Sequence, residues 1–183
     1  WEYSKNESNS VGADAVWIDD IKGTPAAAVD LNLYINSSSG DVFDSGDIVD
    51  FTFKVINQST SPTSNALFQL VVPTVLTNPV LTCSSRLQTL GSRCNTAYAS
   101  INNKPKNETN GTNNINLYYD LSPWDTLTFN LSAEIINISN SELFSIMANV
   151  AVDTNIREIN TDNNFTSHSF MVTSDILFAN SFE

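Results

Sequence analysis

The chain has 183 residues, 41% of them hydrophobic and only 15% charged, with a net charge of −12 and a pI near 4.2. Eight Lys and Arg against twenty Asp and Glu make a phosphate-neutralising patch hard to assemble, which argues against nucleic acid and anionic membrane surfaces as partners. No apolar run approaches the ~20 residues a membrane helix needs, so membrane insertion is not expected.

In chain order, the opening segment WEYSKNESNSVGADAVWIDDI has none of the marks of a signal peptide. From Ala13 to Ile21 it alternates as a strand does, yet nothing before it supplies a partner. Val16, Trp17, Ile18 and Ile21 therefore need a surface from elsewhere, and the strand is expected to add to the sheet of a neighbouring subunit. Trp1, Tyr3 and Trp17 would suit a sugar-stacking platform in a whole jelly roll; with two strands of one present, they read as core rings. Residues 1–23 are thus terminal strands of a preceding domain or an exchanged strand. The small, proline-containing stretch after Ile21 is the linker, set at 24–29.

From there helical periodicity is nearly absent. Val29–Ile35 alternates as the first strand, and Ile48–Ile56 is the clearest, with Phe51, Phe53 and Val55 on one face. Ala66–Val72 is a strand stopped by Pro73. Weaker strands are expected at Val80–Thr82 and Ala97–Ile101, and further ones at Ile115–Leu121, Thr126–Ile136, Phe144–Val152 and Phe165–Val172. SSSGDVFDSGD, NQSTSPTSN and NNKPKNETNGTNN read as loops. The spacing predicts an all-β protein, an immunoglobulin-like antiparallel sandwich over 30–172, followed by a tail, 173–183.

Cys83 and Cys94 have no nearby metal-ligand companions, and His168 is the sole histidine; a local disulfide is expected, and with it an oxidising, extracellular setting. No catalytic order or nucleophile motif appears, so an enzyme is not expected. His168 shares a strand face with Thr166 and Phe170, a structural rather than catalytic setting. Asp153 to Asn164 is dense in oxygen donors, and calcium at Asp153, Asp162 and Asn163 is the ligand that chemistry suits. The competing reading is a hairpin whose Asn and Asp side chains bond their own backbone. Eight Asn-x-Ser/Thr sites, among them Asn57 and Asn164, leave glycosylation a minor reading.

From Asp30 to Val172 the chain resembles the bacterial immunoglobulin-like "conserved repeat" domain of surface proteins and the related bacterial cell-adhesion-related domain. The likeness is carried by Asp30-Leu31, by Gly46-Asp47 ahead of a strand ending Val55-Ile56-Asn57, by paired Cys83 and Cys94, by Leu127–Leu131, and by Asp153 with Asp162-Asn163-Asn164. It departs at Gln58, where glycine is usual, and in the Asn-rich Lys104–Asn114 loop. The opening segment resembles the last strands of a bacterial jelly roll. The tail ILFANSFE resembles a short ending of secreted gamma-proteobacterial proteins. These likenesses imply the C-terminal part of a longer secreted precursor.

Two functions follow as expectations. The first is an extracellular structural or adhesive module that self-associates by strand addition into a fibre or surface array, with cell-surface glycans as a further partner class. The second is a monomeric accessory module, a spacer or glycan binder, of a larger secreted enzyme.

Overall fold

Large apolar residues two apart give each long strand one face for the interior and one for water. A computed structural model of the chain describes residues 27–38, 40–85, 91–94 and 112–174. Twelve strands lie in that range: β1 (Ala28–Val29), β2 (Leu31–Ser37), β3 (Val42–Asp44), β4 (Ile48–Asn57), β5 (Thr63–Pro73), β6 (Leu76–Ser85), β7 (Arg93–Cys94), β8 (Thr112–Leu121), β9 (Thr126–Ile135), β10 (Glu142–Ala151), β11 (Arg157–Glu158) and β12 (Phe165–Thr173).

They form a six-stranded sheet of order β3-β12-β10-β5-β8-β7 and a four-stranded sheet of order β2-β4-β9-β6, with β1 and β11 as a short parallel pair. The order β2-β4-β9-β6 facing β12-β10-β5 is the immunoglobulin arrangement. β3 joins it by pairing parallel with β12, and β7 and β8 widen the second sheet beyond β5.

The core is the interface between the sheets. Val49, Phe51, Phe53 and Val55 of β4 and Leu127, Phe129 and Leu131 of β9 meet Phe68, Leu70 and Val72 of β5 and Phe170 of β12, all buried. Phe68 and Phe129 stack across the gap with centroids 4.1 Å apart, and Phe53 meets Phe68 edge-on at 5.6 Å. At one end Asn57 is fully buried and satisfied: its amide nitrogen donates to Ser61 O at 2.8 Å, and its Oδ1 accepts from Ser59 N and Oγ. That side chain closes the NQSTSPTSN turn and is unavailable for modification in the folded molecule.

The strand-rich sandwich read from alternation is present, though β5 and β8 begin inside the NQSTSPTSN and NNKPKNETNGTNN loops, and it differs further in detail. The Val29–Ile35 strand is broken at Asp30, whose carbonyl accepts the Gln58 N–H at 2.7 Å and whose Oδ1 accepts from Asn163 at 3.0 Å. Ala28 and Val29, the end of the 24–29 linker assignment, are a strand, and Val29 is fully buried. The SSSGDVFDSGD loop contains β3, because Phe43 packs edge-on against Phe170 in the core. Gly46, at φ +88°, makes the turn out of β3 and donates its N–H to Ile135 O. The Ala97–Ile101 strand lies outside the described residues.

Candidate functional site

A sheet protein that recruits another strand must do so at an edge, where backbone donors and acceptors lack partners. The four-stranded sheet has two such edges. At β2 the vacancy is filled: Leu31 N donates to Glu158 Oε1 at 2.9 Å and Leu33 N to the Asn163 carbonyl at 3.0 Å. The segment 157–163 thus caps the first half of that edge, and Ile159 N, bonded to Val29 O at 2.8 Å, fixes it in place.

At β6 no described strand lies on the far side. Its first half is blunted by Pro79 and by a register shift between Thr77 and Val80, where Asn78 takes φ +49°. From Val80 to Ser85 the ladder with β9 is regular, Val80 opposite Ser132 through Ser85 opposite Leu127. Val80 is half exposed, and Thr82 and Ser84 are exposed beside it. Val80–Ser84 is regular strand with uncharged side chains, a template for pairing.

This edge is held by the expected disulfide. Cys83 of β6 is bonded to Cys94 of β7, with Cα atoms 6.1 Å apart, so a covalent tie joins the two sheets here. Closing a loop of this length contributes about 2–4 kcal/mol. Arg93 beside it pairs with Asp120 at 2.6 Å, an exposed contact worth little by itself. The residues expected to supply the added strand, Val16, Trp17, Ile18 and Ile21, lie outside the described residues, as do Trp1, Tyr3 and the tail beyond Ser174.

The residues expected to hold calcium each make a different hydrogen bond. Asp153 Oδ1 accepts both the backbone and side-chain N–H of Asn155, at 2.9 and 2.8 Å. Those bonds hold its carboxyl below the usual carboxylate range. Asp162 N donates to Asn160 Oδ1 at 3.1 Å, and Asn163 Nδ2 donates to Asp30 Oδ1. The first two sets of bonds lie within the 153–164 segment, and the third ties it to Asp30. Among the described residues no group of three or more His, Cys, Asp or Glu is placed to hold a metal ion.

The carboxylate that sequence reading passed over is Glu158. It sits between β2 and Asn164, and burial raises its carboxyl, outweighing the Leu31 N–H that favours the charged form. Glu158 Oε2 and Asn164 Oδ1 are both buried without a hydrogen-bond partner. No sequence spacing marks this residue, because its partner Leu31 is 127 positions away. Asn164 is itself buried, unlike an open glycosylation acceptor. His168 packs edge-on to Phe51 at 5.8 Å. Its Nε2 lies 3.0 Å from Asp41 Oδ1 but off-line for a hydrogen bond, so the contact is one of proximity.

No family model matches the chain, and no curated protein does. Among solved structures, the solution NMR structure of the CARDB domain of a Pyrococcus furiosus protein is similar at TM-score 0.50 and 13% identity, covering 80% of this chain and 97% of that one. The crystal structure of the same CARDB domain in complex with di-metal ions gives 0.47 and 11%, covering 86% and 100%. An Actinomyces fimbrial adhesin gives 0.38 and 15%, covering 68% and 46%. At such identities the likeness is one of fold: the chain has the immunoglobulin-like sandwich that a cell-adhesion-related domain also has.

Proposed function

We propose that this chain is an extracellular adhesive or structural module that self-associates by strand addition, its segment Ala13–Ile21 pairing with the β6 edge of the next subunit. The observation that carries the reading is the contrast between the β2 edge, where the Leu31 and Leu33 N–H groups are taken, and the regular, uncharged stretch Val80–Ser84, beyond which no described strand lies. The opening segment brings alternating apolar residues, Val16, Ile18 and Trp17 among them, that need a sheet to lie on. A donor at one end of a chain and an acceptor elsewhere on it make a head-to-tail contact, which propagates instead of closing. The disulfide keeps the acceptor edge from peeling away under load and suits an oxidising, extracellular setting. A binding rather than catalytic role accords with the one histidine being packed against Phe51.

Removal of residues 1–23 tests the proposal. The full chain is expected to form concentration-dependent polymers by size exclusion and electron microscopy, and the shortened chain to run as a monomer. Assembly that persists undiminished after the deletion would sink it.

A further inference from the structure

Apart from any edge, the outer face of the six-stranded sheet carries an organised polar array. Register places Phe165 of β12 opposite Asn149 of β10, Asn149 opposite Gln69 of β5, and Gln69 opposite Asn116 of β8. The three amides bond one another in a row: Asn149 Nδ2 donates to Gln69 Oε1 at 3.4 Å, and Gln69 Nε2 donates to Asn116 Oδ1 at 3.3 Å. At one end of the row Phe165 is 55% exposed, and on the neighbouring row Met147 is 37% exposed. With Asn114, these residues line a concavity of about 240 Å³.

Three features of this concavity specify a ligand class. Among the described residues its lining contains no Lys, Arg, Asp or Glu, in a chain of net charge −12, so these residues offer no counter-charge to an ionic ligand or a nucleic acid. The ladder orients the amides while using only part of their capacity. Within the ladder, Asn149 Oδ1, one N–H each of Asn149 and Gln69, and both N–H groups of Asn116 are left over, so the row presents an acceptor at its Asn149 end and donors along its length. With strands about 4.8 Å apart, the outer amides stand roughly 10 Å from each other, a span that suits consecutive sugar rings of an extended chain. The exposed Phe165 ring at the end of the row offers a flat apolar surface for the C–H face of a pyranose, with polar groups beside it to fix orientation.

From this we infer that the Phe165–Asn149–Gln69–Asn116 row is a binding site for a neutral, extended oligosaccharide or polysaccharide chain. The site is separate from the β6 edge. It gives a location to the glycan partner class expected from the sequence, and it does not depend on strand addition.

The test uses the full chain on an array of neutral and acidic oligosaccharides, followed by affinity electrophoresis in each neutral polysaccharide that scores and in alginate. Phe165→Ala and Asn116→Ala, both at exposed positions, are compared with wild type after circular dichroism and thermal melts establish that they fold. The expected result is binding to at least one neutral glycan, none to alginate, and a loss of affinity of tenfold or more in each variant. Three results would overturn the inference: no neutral glycan bound, binding unchanged in both variants, or binding confined to acidic polymers. If Phe165→Ala instead abolished self-association and no sugar bound, the face would be a protein interface and the inference would likewise fail. Loss of assembly on removing residues 1–23 with sugar binding intact separates this site from the strand-addition reading.

Discussion

At the β2 edge of the four-stranded sheet, the outward N–H groups of Leu31 and Leu33 are taken by Glu158 and Asn163 from the 157–163 segment. At the β6 edge of the same sheet, Val80–Ser84 has no described strand beyond it, and the Cys83–Cys94 disulfide ties it to the other sheet. Both edges have a device that keeps a terminal strand attached, but only at β2 does that device take up outward N–H groups, those of Leu31 and Leu33. The lesson is that an edge can be stabilised from the side, by a disulfide, while its hydrogen-bonding rim stays available.

The largest effect that sharpens this contrast comes from the disulfide. Replacing Cys83 and Cys94 together by Ser should cost about 2–4 kcal/mol in urea unfolding. The loss should be uneven: amide exchange at Leu81 and Thr82 should speed up more than at Leu33, whose N–H is held by Asn163. Equal acceleration at both edges would mean that the tie supports the whole sandwich and not β6 in particular.

A smaller and pH-dependent effect is expected at the capped edge. A carboxyl whose pKa is raised by folding contributes stability that is fully present below its unfolded value and lost as pH climbs through the folded one. For Glu158 that loss begins above its ordinary value of 4.5. Glu158→Gln keeps an oxygen for the Leu31 N–H and cannot ionise, so wild type should lose stability relative to the variant between pH 4.5 and neutrality. Thermal melts of both proteins at pH 4 and pH 7 check this. A wild type that gains on the variant as pH rises would show that Glu158 acts as a charged group and contradict the account of the cap.

Much of the sandwich is legible in the sequence because its strands obey one local rule. Phe51, Phe53 and Val55, or Leu127, Phe129 and Leu131, announce a buried face wherever they pair. β3 is not legible, since one buried ring, Phe43, stands among Gly, Ser and Asp that argue for a turn. The break at Asp30 escapes for a different reason: its partners, Gln58 and Asn163, come from distant parts of the chain. Glu158 and the amide row share that character. Gln69 meets Asn116 and Asn149 across separations of 47 and 80 residues, so no window of sequence contains the array. Local alternation reveals strands; which polar groups meet across them is a property of topology.

The most direct measurement of the central claim is residue-resolved hydrogen exchange at Val80–Ser85 in the full chain and in the chain lacking residues 1–23, each at low and high protein concentration. Strand addition requires that these amides become protected as concentration rises in the full chain only, while Leu31 and Leu33 exchange alike in both. Protection at β6 that is identical in the two proteins, or independent of concentration, would contradict it.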